Sequence, residues 1–318
     1  MKKKSNSNLF ILIIAAALLF CSAAEAKPKP AIISKNLSCK TLRVMARVYM
    51  SYGQFNKASG YAEKALNLAQ QRNESDEELC LCLIDMAYIY NEQGQYEQAE
   101  QLCTLGLKLQ QKAYYETHPY VAYTLRTLSS IFLKQGKMKE AFESLNHAID
   151  IMVENHPADK QIIAPFQVDF AKLLVAEGKL AEAEDYYDKA IAVIKDCYGP
   201  DNLYTATVAG FIAELYTLQG RFSEAEQLVK KSQPILEKVY GPEHHFNTGI
   251  WLTKARILQS KGKDTEAEVL IQKARNAVEK TGNFIEVAKL EQRIEKIRSA
   301  KANPDTLKPL ANFIDSAI

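Results

Sequence analysis
The 318-residue chain is short of most residues that carry chemistry or build small scaffolds. It has one tryptophan, six cysteines and five histidines, and no HExxH, GxSxG or GxxxxGK motif. Those gaps remove the usual sequence signs of a zinc protease, a serine hydrolase and a phosphate-binding loop. Six cysteines in a chain of this length do not make a disulfide scaffold. The charge is also nearly balanced, 40 basic against 38 acidic side chains, which argues against a surface built for nucleic acid. Beyond the N-terminus there is no apolar run long enough to cross a bilayer. Glycine and proline number only 13 and 10, yet six of the glycines are regularly spaced.

Residues 1–26 differ from the rest. Lys2, Lys3 and Lys4 precede an apolar run from Leu9 to Cys21, and Ala24-Glu25-Ala26 is a small-x-small triplet. This reads as a secretory signal cleaved near Ala26, with an uncleaved membrane anchor as the alternative. Cleavage removes three lysines and one glutamate from the 40 and 38, leaving 37 of each and a neutral mature chain. It also leaves five cysteines, Cys39, Cys80, Cys82, Cys103 and Cys197, which read as small buried hydrophobes. Cys80 and Cys82 are two apart in an apolar stretch that reads as helical, so they point to different faces and cannot act as a CxxC redox pair.

Gly53, Gly94, Gly136, Gly178, Gly220 and Gly262 are 41, 42, 42, 42 and 42 residues apart. Five positions after each stands an alanine: Ala58, Ala99, Ala141, Ala183, Ala225 and Ala267. Seven before each is a small residue, Ala46, Ala87, Ser129, Ala171, Ala213 or Ala255. Four before each is a large apolar one, Tyr49, Tyr90, Phe132, Leu174, Tyr216 or Leu258. Apolar residues recur three and four apart on both sides of every glycine, so each unit reads as two helices with the glycine between them. Small columns let helices approach closely while the large column fills the groove beside them. A period of this length predicts stacked supersecondary units.

This pattern resembles the tetratricopeptide repeat, in the 42-residue variant of kinesin light chain, whose longer second helix ends in a linker like Tyr240-Gly241-Pro242-Glu243-His244. The resemblance implies an all-α, right-handed superhelical solenoid of stacked antiparallel helix pairs. The expected organisation is a signal at 1–26, a short leader at 27–37, six helix pairs at 38–280, a capping helix at 281–300 and a tail at 301–318. It departs from the kinesin light chain repeats in lacking asparagines along the first helices, as at Thr124-Leu125-Arg126-Thr127-Leu128.

The resemblance further implies that the first helix of each unit lines an inner groove. The candidate contact residues there are Lys40, Arg43, Arg47, Tyr88, Asn91, Tyr123, Arg126, Lys134, Lys172, Glu214, Arg256 and Gln259. Their charge is mostly positive, which suits an extended acidic peptide or a C-terminal carboxylate. The function expected is non-enzymatic: a protein-interaction or scaffold module of the bacterial cell envelope, with an accessory or sensor protein for a small ligand or polysaccharide as the alternative. No cofactor, metal or nucleic acid is expected. His244-His245 beside Glu243 lacks the spacing of a closed metal site and reads as linker and helix-start packing.

Overall fold
A computed structural model describes residues 37–51, 54–156, 159–281 and 284–302, the last segment with side chains only for 287–299. The expected signal at 1–26, the leader up to 36, Gly53 and the tail from 303 onward lie outside the described residues.

Thirteen α-helices follow in chain order among the described residues. They pair as α1 (Cys39–Ser51) with α2 (Phe55–Gln71), α3 (Asp76–Glu92) with α4 (Tyr96–Ala113), α5 (Pro119–Lys134) with α6 (Met138–Asn155) and α7 (Lys160–Glu177) with α8 (Leu180–Tyr198). They continue as α9 (Leu203–Leu218) with α10 (Phe222–Tyr240) and α11 (Thr248–Ser260) with α12 (Asp264–Glu279), and end with α13 (Phe284–Ala302). Each pair packs most heavily on itself, then on its sequence neighbours, which makes an all-α solenoid of stacked antiparallel helix pairs.

The turn inside each unit explains the glycine column. Gly136 has φ +73°, and Gly94, Gly178, Gly220 and Gly262 are likewise left-handed, a region costly for a residue with a Cβ. At unit 3 the Gly136 N–H donates to the Leu133 carbonyl and the Lys137 N–H to the Phe132 carbonyl. These two bonds satisfy carbonyls that the end of α5 would otherwise leave open. The same pair recurs from Gly178 and Lys179 to Val175 and Leu174. The large-column residue therefore supplies the receiving carbonyl as well as packing surface.

The small columns mark where the two helices of a unit cross. Ala58, Ala99, Ala141, Ala183, Ala225 and Ala267 are all fully buried, as are the five alanines of the column before the glycine. Ser129, the exception to alanine in that column, donates its hydroxyl to the Ala141 carbonyl at 2.8 Å, a bond possible only where the backbones are nearly touching. Around each crossing sit larger side chains such as Leu145, Ile151 and Ile131, each 2% exposed or less. Burying one of these contributes roughly 1.5–3 kcal/mol.

Linkers are closed by caps. Ser75 Oγ accepts from Glu78 N–H at the start of α3, whose first turn also carries Asp76, Glu77 and Glu78 against the helix dipole. His118 and His244 accept through Nδ1 from the N–H of Tyr120 and Phe246, and stack on Tyr114 and Tyr240. The two histidines are thus caps and linker packing. Burial and the neighbouring His244 push His245 down to about 4, so it is neutral near pH 7.

Helix α13 covers the end of the stack. Leu290, Ile294 and Ile297 pack into the cluster that holds Trp251, Ile257 and Ala274 of unit 6. The helix also reaches back: Arg293 pairs with Glu214 of α9 at 2.8 Å, and the Lys289 ammonium lies 5.2 Å from the ring centre of Tyr96, at the start of α4. A helix expected only as a cap therefore bridges units 2, 5 and 6.

Candidate protein-binding groove
The first helices of units 1 and 2, 2 and 3, and 5 and 6 pack on one another, while second helices of adjacent units scarcely meet. Rows that touch on one side and diverge on the other curve the stack, with α1, α3, α5, α7, α9 and α11 on the inside. The candidate residues all lie on these inner helices.

Their electrostatics differ from the expected basic bias. Arg43 is 8% exposed; its Nε donates to Asp85 Oδ2 at 2.8 Å and its Nη1 to Glu78 Oε1 at 3.1 Å. Burial works to lower the Arg43 pKa, but Asp85 and Glu78 outweigh it and hold it raised. Arg43 is thus a structural clamp and not an exposed donor, a correction to the sequence reading. Arg47 shares Asp85 from the exposed side. Lys134 Nζ pairs with Glu92 at 2.8 Å, its own side chain only 9% exposed. Arg126 pairs with Asp169, and Lys172 Nζ reaches the other oxygen of that carboxylate at 3.1 Å. Arg126 also lies 5.3 Å from the centre of the Phe166 ring, and Lys172 4.4 Å from that of Phe211.

Most of these pairs join the first helix of one unit to the first helix of the next. Arg43 to Asp85 and Lys134 to Glu92 each span 42 residues, and Arg126 to Asp169 spans 43, the period of the repeat. The inner face of units 1 to 4 is therefore a ladder of alternating charges that ties each of these units to the next. Asp169 shows its strength: burial raises its pKa, yet Arg126 and Lys172 bring it down to about 2.

The remaining candidates fall into two groups. Lys40, Arg47 and Tyr88 are exposed at the unit 1 and 2 end, Tyr88 by 44%. Tyr123 is half-buried against Phe166 at 5.5 Å between ring centres, Gln259 is half-buried, and Glu214 is held by Arg293. Asn91 is only 2% exposed, with its Nδ2 on Glu92, so it too belongs to the packing and not to a contact surface. Arg256 stands apart: its Nη2 is buried without a hydrogen-bond partner. Burial lowers its pKa, with Glu214 opposing and Arg293 adding to that effect.

Cys39, Glu78 and Cys82 bring their ligand atoms within 4.8 Å of one another in the core between α1 and α3. A cleft of about 260 Å³ lined by Leu66, Met86, Tyr90 and Leu102 opens between α2, α3 and α4, away from the inner row. Among the described residues, no helix is long and apolar enough to cross a membrane.

A solenoid of helix pairs with an ion-paired inner face is a repeat architecture that presents surface instead of enclosing a reaction chamber. A tetratricopeptide repeat signature matches residues 163–238, and a MalT-like TPR region signature matches residues 31–170. The two signatures together span residues 31–238, and the chain is a tetratricopeptide-like repeat protein, a non-catalytic, protein-interaction fold. Protein KINESIN LIGHT CHAIN-RELATED 2 of Arabidopsis thaliana is 28% identical over 123 residues, 37% of this chain. The match spans only 18% of that relative's length. Among solved structures, a plasmid-borne Rap conjugation gene regulator in complex with the Phr peptide superposes with a TM-score of 0.67 at 13% identity, over 99% of this chain and 84% of the other. A Rap protein complexed with competence and sporulation factor gives 0.62 at 13% identity, over 95% and 89%. At such identities the likeness is one of fold.

Proposed function
We propose that this chain is a non-enzymatic protein-interaction module of the bacterial cell envelope, exported by residues 1–26 and binding a peptide or helical segment of a partner on its inner face. Its repeats are of the 42-residue kinesin light chain variant. The observation that carries the reading is α13, an amphipathic helix of the chain itself that reaches units 2, 5 and 6 through Lys289, Arg293 and its apolar row. A surface that seats one helix by a few apolar anchors and single ion pairs has the chemistry to seat another. The Rap regulator's complex with the Phr peptide supports the same use of the fold.

The partner segment is acidic or ends in a carboxylate. It meets Lys40 and Arg47 beside Tyr88 at one end, and the Arg256 guanidinium, whose Nη2 lacks a hydrogen-bond partner, at the other. The ladder holds the first helices of units 1 to 4 at fixed spacing, so little ordering cost falls on binding there. Tagged chain captured from the envelope fraction of the producing cells, with co-purifying proteins identified by mass spectrometry, tests this. The triple variant Lys40→Glu, Arg47→Glu, Tyr88→Ala should lose at least about tenfold of the captured partner while keeping its helical circular dichroism. Equal capture by the variant would refute the groove assignment.

A further inference from the structure
Two thiols of the first two units meet each other. Cys39 opens α1 of unit 1 and Cys82 lies in α3 of unit 2; their Sγ atoms are 3.3 Å apart, and the residues are 3% and 1% exposed. The contact is held by the charged clamp beside it. Cys39 and Arg43 are one turn apart on α1, and Glu78, Cys82 and Asp85 follow one another along a single face of α3. The bonds from Arg43 to Glu78 and Asp85 therefore fix the relation of the two helices that brings sulfur to sulfur. The other described cysteines are placed differently: Cys80 donates to the Glu77 carbonyl, Cys103 to the Thr124 carbonyl, and Cys197 is exposed.

We infer that Cys39 and Cys82 are a disulfide-forming pair that staples the first unit to the second when the protein meets a small-molecule disulfide oxidant. A bond needs the sulfurs at about 2.05 Å, so they must close by about 1.3 Å, a movement within reach of side-chain rotation at the end of a helix. The exchange balances without another reagent. One cysteine loses its proton and its thiolate attacks the small disulfide, which releases one small thiolate and leaves a mixed disulfide on the protein. The second cysteine, deprotonated in turn, attacks the protein sulfur and expels the second small thiolate. The two protein thiols give up two electrons and two protons, and the small disulfide becomes two thiols.

Access comes through Cys39. It is in the first turn of α1, where helix ends open most readily, and opening of that turn moves its sulfur out of the core. Burial raises both thiols above their ordinary pKa, so exchange is slow at neutral pH and faster in alkali. Once formed, the staple fixes the helix carrying Lys40 and Arg47 against the one carrying Tyr88.

The full chain, in detergent and with Cys21→Ser and Cys197→Ser to remove the two thiols outside the described core, is equilibrated in oxidised and reduced glutathione. Free thiols are then alkylated under denaturing conditions and the digest is mapped by mass spectrometry. The expected result is a Cys39–Cys82 linked peptide, absent after reduction and absent in Cys39→Ala and Cys82→Ala. Amide exchange in α1 should slow at least about tenfold in the oxidised form. Full alkylation of both cysteines in a buffer that oxidises Cys197 in the parent chain would overturn the inference, and that reading needs no core variant to fold. Linkage of either to Cys80 or Cys103, or one zinc ion per chain that survives dialysis and shields both thiols, would overturn it as well. Partner capture on the inner face is read separately, so loss of the staple and loss of binding are distinguishable.

Discussion

Asp169→Asn gives the sharpest test of the inner ladder. The carboxylate faces Arg126 and Lys172, its side chain is about a quarter exposed, and its pKa falls from the ordinary 3.8 to about 2. That fall corresponds to about 2 kcal/mol of stability at neutral pH. The sign follows from the direction. A carboxylate depressed in the folded chain contributes fully above its unfolded pKa of about 4 and loses that contribution as pH drops through about 2. Wild type should therefore lose about 2 kcal/mol between pH 5 and pH 2 that the variant does not. At pH 7 the variant should be less stable by about 2–3 kcal/mol, because Arg126 is left half-buried beside Phe166 without its anion. Urea unfolding followed by circular dichroism at both pH values measures this, and a double-mutant cycle with Arg126→Met isolates the pair. A difference below about 0.5 kcal/mol at pH 7, or pH dependence unchanged by the substitution, would refute the ladder as a source of stability.

Three other outcomes follow from the packing. Gly136→Ala meets open space but must hold φ +73°, so it should cost about 1–2 kcal/mol, whereas Gly60→Ala, inside α2 and equally uncrowded, should gain up to about 1 kcal/mol; paired urea midpoints of opposite sign check this. Ala183→Leu, at a fully buried crossing, should cost at least about 1–3 kcal/mol by thermal or urea unfolding, since the backbones of α7 and α8 leave no room for the added carbons. Trp251 is the chain's single tryptophan, fully buried with Nε1 on Glu237 at 3.2 Å, so its fluorescence reports the C-terminal units. Ile294→Ala, in α13 but in the same cluster, should lower the fluorescence midpoint more than the circular dichroism midpoint.

What could be read in the chain beforehand followed the physical constraints that act at single positions. A left-handed turn needs glycine and a close helix crossing needs alanine or serine, so both leave a residue at every period, and the fold could be read from Gly94 to Gly262 and from Ala58 to Ala267. The histidine linkers were legible for a similar reason, since a side chain at a helix start has few roles open to it. The inner face was harder. Within its own helix each of Arg43, Arg126 and Lys134 is a free cation, because the neutralising carboxylates stand one period away at Asp85, Asp169 and Glu92. The signal for them in the sequence is opposite charge 42 or 43 residues apart. Side-chain direction buried Asn91, and only the curvature of the whole stack brings Lys289 to Tyr96. Neither is written in local spacing.

The central claim is that the inner row of first helices is the binding surface. The most direct measurement is hydrogen exchange of the chain with and without the partner recovered by capture. The account predicts slowed exchange confined to α1, α3, α5, α7, α9 and α11, together with a change in α13 where it shares that face. Protection mapping to α2, α4, α6, α8, α10 and α12, with the first helices unchanged, would contradict it.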